Sequence, residues 1–191
     1  MSPLGAARAV ITSGGADVKG SLILLQTQTA SSDLLDFEAL EQSTYNVHFF
    51  TFTDINVTTQ TEFGYRLSDD GGTSYETSYA FANQRGYASG TFVERKSEDQ
   101  ATARLGGDIT TDSNSVFNGY MYLYNAGSGS KFTFSSSHFI YMNNSDAAST
   151  EYGSQMYATA ATMNGISFGA ATTGTTTLES GIISCYGLKE E

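Results

Sequence analysis

The sequence predicts an all-β fold, a jelly-roll-like antiparallel β-sandwich with a short N-terminal arm, and three observations carry that expectation. Apolar and polar residues alternate with the period of a strand over most of the chain, and no long segment has helical periodicity. The alternating runs are separated by Asp-Gly, Gly-Gly and Ala-Gly-Ser clusters that favour turns. The composition suits both features: 12 Phe, 12 Tyr and 20 Gly stand against a single Pro and no Trp, which supplies β-forming aromatics and turn residues. A chain of 191 residues fits one domain around one hydrophobic core.

Residues 1–20 are small, Gly/Ala-rich and weakly patterned, and cannot build a core of their own. They read as an arm docked on a partner, with Leu4, Arg8, Val10 and Ile11 as contact residues; the alternative is an unanchored terminus. The sandwich domain spans 21–191. Its first strand is Ser21 to Ala30. Leu34 to Leu40 is either a short strand with Leu35 and Phe37 on one face, or one helical turn. Tyr45 to Val57 is the longest alternation. Tyr45, Val47, Phe49, Ile55 and Val57 share one face, and His48, Phe50, Phe52 and Asp54 the other, so two strands are fused here or a bulge swaps the faces.

Thr61 to Leu67 places Phe63, Tyr65 and Leu67 on one side and ends in the Asp69-Asp70-Gly71-Gly72 turn. Residues 75–94 read as strands with wide loops, and Arg95 to Gln100 as a solvated charged turn. Ala101 to Ile109 and Val116 to Asn125 flank a polar turn. A loop over 143–150 precedes a strand from Tyr152 to Met163. Ile166 to Phe168 is short. Leu178 to Tyr186 closes the domain, with Leu178, Ile182 and Tyr186 on one face and Ile183 and Cys185 on the other. The spacing predicts about nine to eleven strands, as in a sandwich or jelly roll.

The hairpin from Tyr120 to Tyr141 has aromatic residues on both faces. Met121 and Leu123 point one way and Tyr120, Tyr122 and Tyr124 the other; Phe132, Phe134, His138, Ile140 and Met142 share a face of the second strand. One sandwich core cannot satisfy both rows. The tyrosine row is therefore a candidate interface, Tyr being enriched at such surfaces, or else an inner sheet face.

Net charge is −11, with 9 Lys plus Arg. Phosphate-backbone binding needs clustered cations, and the longest basic cluster is Arg95-Lys96, so nucleic acid is not an expected partner. A basic patch on another protein is the natural electrostatic mate. The single Cys185 forms no intrachain disulfide. Neither a signal peptide nor a membrane-spanning run is expected, and synthesis in a cytosol is compatible.

No residue pattern declares a reaction. His48 and His138 both fall in strands, and only His138 with Cys185 offers a base beside a nucleophile. The 20 acidic residues form no glycosidase constellation. Asp69 to Gly72 and Asp108 to Asn114 offer oxygen ligands, but neither matches the calcium-loop spacing, and turn formation explains both. No catalytic residue, cofactor or metal ligand is expected.

Three stretches carry a resemblance: Arg66-Leu67-Ser68-Asp69-Asp70-Gly71-Gly72-Thr73-Ser74-Tyr75; Gly119 to Asn125 with Lys131-Phe132; and Leu178-Glu179-Ser180-Gly181-Ile182-Ile183-Ser184-Cys185-Tyr186-Gly187-Leu188-Lys189. In their order and spacing they resemble a β-sandwich module of tailed-phage structural proteins, found in tail fibres and small virion proteins. The module usually ends a longer chain, whereas here it follows a short arm, which favours an accessory protein over a fibre shaft. The resemblance implies a non-enzymatic virion protein, foremost a capsid decoration (cement) protein, homotrimeric and bound to the major capsid protein at the virion surface. The alternative is a tail-tip or fibre-associated protein that recognises host glycans near Tyr79, Tyr87 or Tyr120.

Overall fold

The computed structural model describes residues 22–171 and 178–189. These residues form twelve strands: β1 (Leu22–Thr29), β2 (Leu34–Phe37), β3 (Val47–Val57), β4 (Thr61–Ser68), β5 (Tyr79–Tyr87), β6 (Phe92–Gln100), β7 (Ala103–Ile109), β8 (Phe117–Tyr124), β9 (Thr133–Met142), β10 (Ala148–Tyr157), β11 (Gly165–Ala170) and β12 (Leu178–Leu188). The arm and its contact residues Leu4, Arg8, Val10 and Ile11 lie outside the described residues.

The strands make two antiparallel sheets. One has eight strands in the order β1-β12-β3-β8-β9-β10-β5-β6; the other has four, in the order β2-β11-β4-β7. Two pairs, β5–β6 and β9–β10, are excursions that widen the first sheet. Without them, the first, last, third and sixth strands fill one sheet and the second, seventh, fourth and fifth the other. That alternation is the jelly roll.

Of the two readings of the long alternation, the bulge holds: β3 is one strand. Phe50 and Phe52 are buried, and so are Ile55 and Val57, although odd and even positions should face opposite ways. The swap occurs at Asp54, whose φ is 54° and whose N–H donates to Asn118 Oδ1 at 2.8 Å. Gly181 of β12 lies opposite with φ 112°, and a Cβ there would crowd the Asp54 carbonyl. The register shifts on both strands. The same irregularity corrects β12: Leu178 is buried with Ile183 and Cys185, while Ile182 faces outward.

The core of the jelly-roll half is aromatic. Phe168 sits 5.1 Å from both Phe50 and Phe52, and 5.8 Å from Phe37, largely edge to face. Phe117 stacks on Phe139 at 4.3 Å.

Several expected boundaries move. Residues 34–37 are a strand, not a helical turn. Arg95 to Gln100 belongs to the edge strand β6, not to a turn; a run of charged side chains suits an edge, where it discourages further pairing. β10 starts at Ala148 inside the expected loop and ends at Tyr157, so 158–163 is not strand. Twelve strands exceed the expected count because β6 is among them.

Candidate functional site

Strand register places the candidate residues in rows across the outer face of the eight-stranded sheet. One row runs Leu24, Tyr186, Phe49, Tyr122, Ser136, Ser154, Ala82. Its neighbour runs Thr27, Ser184, Thr51, Tyr120, His138, Tyr152, Gln84. A third runs Leu22, Leu188, Val47, Tyr124, Phe134, Met156. These rows meet no Asp, Glu, Lys or Arg until they reach Glu94 and Lys96 on β6.

The row chosen from sequence does face outward. Met121 and Leu123 are fully buried, whereas Tyr120 is 42% exposed and Tyr122 and Tyr124 are half-buried. The tyrosines belong to a continuous aromatic band. Phe49 lies 6.2 Å from Tyr186, 4.8 Å from Tyr122 and 6.0 Å from Tyr120. Tyr120 meets His138 at 5.9 Å, and His138 meets Tyr152 at 6.3 Å. Tyr122 and Tyr124 stack at 6.2 Å and 21°. Each ring is held by its cross-strand neighbours, so the band is pre-formed and loses little side-chain entropy on binding. Side-chain hydrogen bonds hold it in place: the hydroxyls of Tyr124 and Ser136 at 3.3 Å and of Thr27 and Ser184 at 3.0 Å, and His138 Nε2 with the Thr150 hydroxyl at 2.8 Å.

Sequence reasoning missed Phe49, Tyr152 and Tyr186 as members of the band. The signal was present for Phe49, which alternates against the core residues Phe50 and Phe52. For Tyr152 and Tyr186 only the strand order brings them into line.

A second assembly was also missed: a polar network buried between the sheets beneath β5, β9 and β10. Arg85 is 2% exposed and Glu151 fully buried. Arg85 Nε binds Glu151 Oε2 at 2.8 Å and its Nη1 binds Asp108 Oδ2 at 2.6 Å. Glu151 also accepts from Tyr141 Oη at 2.8 Å and from Asn83 Nδ2 at 3.0 Å. Arg95 and Arg104 both pair with Glu62. A Cβ at Gly107 would meet the Arg85 and Arg95 guanidinium groups, so a side chain there would have to displace them. Gln155, Ser135 and Tyr65 Oη extend the network toward the apolar core.

The other candidate groups are separated or occupied. His138 is on the outer face and Cys185 in the core, so they do not form a pair. Burial pushes the Cys185 thiol up to about 12, which suppresses the thiolate. Burial also lowers the His48 pKa, against a hydrogen bond to the Leu40 carbonyl. Asp70 is spent on its own turn, accepting from Ser74 N–H at 2.9 Å and from the Ser74 and Ser68 hydroxyls at 2.7 and 2.8 Å. Those bonds lower its carboxyl to about 2. Asp108 binds Arg85, and Asp112 accepts from Asn114 N–H. Tyr79, a candidate glycan platform, is instead fully buried, its hydroxyl accepting from Leu67 N–H at 2.6 Å.

Compared with known proteins, the chain matches no family model, no curated protein and no solved structure.

Proposed function

We propose that this is a non-enzymatic structural protein of a tailed-phage virion, a capsid decoration protein that docks on neighbouring subunits through the outer aromatic face of its large sheet. The observation that carries the reading is the uncharged aromatic band on an otherwise acidic protein. Exposed apolar rows with polar margins are what a protein interface presents. The phage setting is supported by the resemblance over 66–75, 119–125, 131–132 and 178–189, and the partners it implies are the major capsid protein and further copies of this chain. Clamping works by mass action: a protein that binds only the assembled shell stabilises that shell.

One feature favours a second reading. A recess of about 500 Å³ adjoins the end of the band, lined by Asn46, Val47, Tyr124, Asn125, Gly127, Ser128 and Lys131. An aromatic ring beside amides and a hydroxyl suits a sugar, as a tail-associated receptor-binding protein would need. Immunogold labelling of particles purified from a lysate in which the chain is produced separates the two. Label over the capsid faces supports decoration. Label confined to the tail tip, with hits on a glycan array, supports receptor binding. Particles without label contradict both.

A further inference from the structure

We infer that β1 pairs edge to edge with β1 of a second copy, joining two eight-stranded sheets into one across a two-fold axis. The large sheet has two edges, β1 and β6, and they are built differently. β6 carries Glu94, Arg95, Lys96, Glu98 and Asp99 along its length, the charged guard that keeps edges from recruiting partners. β1 reads LILLQTQT, eight residues with no charge and no proline. Leu22 and Leu24 are exposed, Leu24 by 54%. Among the described residues, no strand pairs with its outer side.

The occupant follows from charge and closure. Two copies of a chain of net charge −11 repel one another except where the charge is missing, and β1 with the band beside it is such a place. An antiparallel pair of identical strands is self-complementary, so no like charges meet across it. Its two-fold axis stands perpendicular to the sheet, so both aromatic bands lie on one side and form a single longer surface. Pairing consumes the unguarded edge of each copy and leaves the charged β6 at both ends. Assembly therefore stops at two chains.

This contact is isologous, in place of the three-fold assembly that the phage resemblance implies, and it does not depend on the proposed function. Sedimentation equilibrium on the full-length protein tests it, with amide hydrogen exchange read across β1. The expected result is twice the mass of one chain at micromolar concentration, with β1 amides that lose protection on dilution. Leu24→Lys with Thr27→Lys, both at exposed positions, brings the mass to that of one chain, weakening association about tenfold or more through like-charge contact. Val93→Lys on β6 leaves the mass unchanged. A monomer at every concentration, a trimer, or a dimer indifferent to the β1 lysines overturns the pairing. So does β1 protection that persists at high dilution, which would put the chain's own residues on that edge. A trimer would overturn the pairing while leaving the docking role of the aromatic face intact.

Discussion

The two faces of the eight-stranded sheet reverse the usual placement of charge and aromatic surface. Under β5, β9 and β10 the inner face buries Arg85 and Glu151 and links them to Asp108, Asn83 and Tyr141. The outer face, on the same strands and their neighbours, exposes Tyr120, Phe134, Ile140 and Tyr152, with Ile140 at 56%. Buried charge is tolerated when an opposite charge pairs with it, and exposed aromatic rows are expected mainly where a partner covers them. The difference teaches that the inserted strands serve two purposes. Their inner side locks them to β7 through Arg85–Asp108 and to β4 through Arg95–Glu62, and their outer side extends a surface made for contact.

Breaking the inner face should have the largest effect. Glu151→Ala leaves Arg85 buried with one carboxylate fewer, and a loss of about 3–5 kcal/mol is expected from denaturant unfolding. Replacing Arg85 and Glu151 together by Met should cost distinctly less than Glu151→Ala alone, because the charges left behind are not both buried and unpaired: Asp108 is 45% exposed and Arg95 keeps Glu62. Equal costs would show that the network is not held by that pair.

The apolar core that the four-stranded sheet packs against this inner face gives the next test. Phe168→Ala should cost about 3–5 kcal/mol by opening the aromatic cluster around Phe37, Phe50 and Phe52. It should do so without altering binding by the outer face, which a pull-down of the folded variant would read.

Acid sharpens the contrast through His48. Its folded pKa is depressed below the ordinary 6.5 by burial, so the folded state binds fewer protons than the unfolded chain. Its contribution is fully present above pH 6.5 and is lost as pH falls below that toward the folded value. Thermal midpoints between pH 7.5 and 5 should fall in the native protein and fall less in a folded His48→Gln variant. Asp70 acts lower on the scale. With its carboxyl held at about 2 against an ordinary 3.8, its contribution holds above pH 4 and fades toward pH 2. Asp70→Asn should flatten that segment of the acid-unfolding curve.

Substitutions on the outer face should scarcely register in stability. Tyr152→Ser, at a position 44% exposed, is expected to change unfolding free energy by less than about 1 kcal/mol. A loss of several kcal/mol would mean that the band serves the fold of the single chain and not a partner.

Much of the architecture was legible from the chain. Period-two alternation identified β3, β4 and β8, and the mixed signs within Tyr45 to Val57 pointed to either two fused strands or the bulge that Asp54 and Gly181 build. The charged run 95–100 misled because charge marks a solvated turn and a guarded edge strand equally well. The tyrosine row on β8 was legible as a choice between two faces, since Met121 and Leu123 competed with it for the core. The complete band was not, because Phe49, Tyr152 and Tyr186 come from three strands that only the sheet order brings together. The ion-pair network was hidden for the same reason: Glu62, Arg85, Arg104 and Glu151 are scattered over four strands, and each alone looks like an outward polar position.

The central claim is that the outer aromatic face binds a protein partner, and Tyr122→Asp tests it most directly. Tyr122 lies in the middle of the band, against Phe49 and Tyr124. A carboxylate there should leave the fold intact, with a thermal midpoint within about 4 °C of the native one. Co-sedimentation with capsids freed of the native protein should then fall from full binding to background. A folded Tyr122→Asp variant that sediments with those capsids as the native protein does would contradict the account.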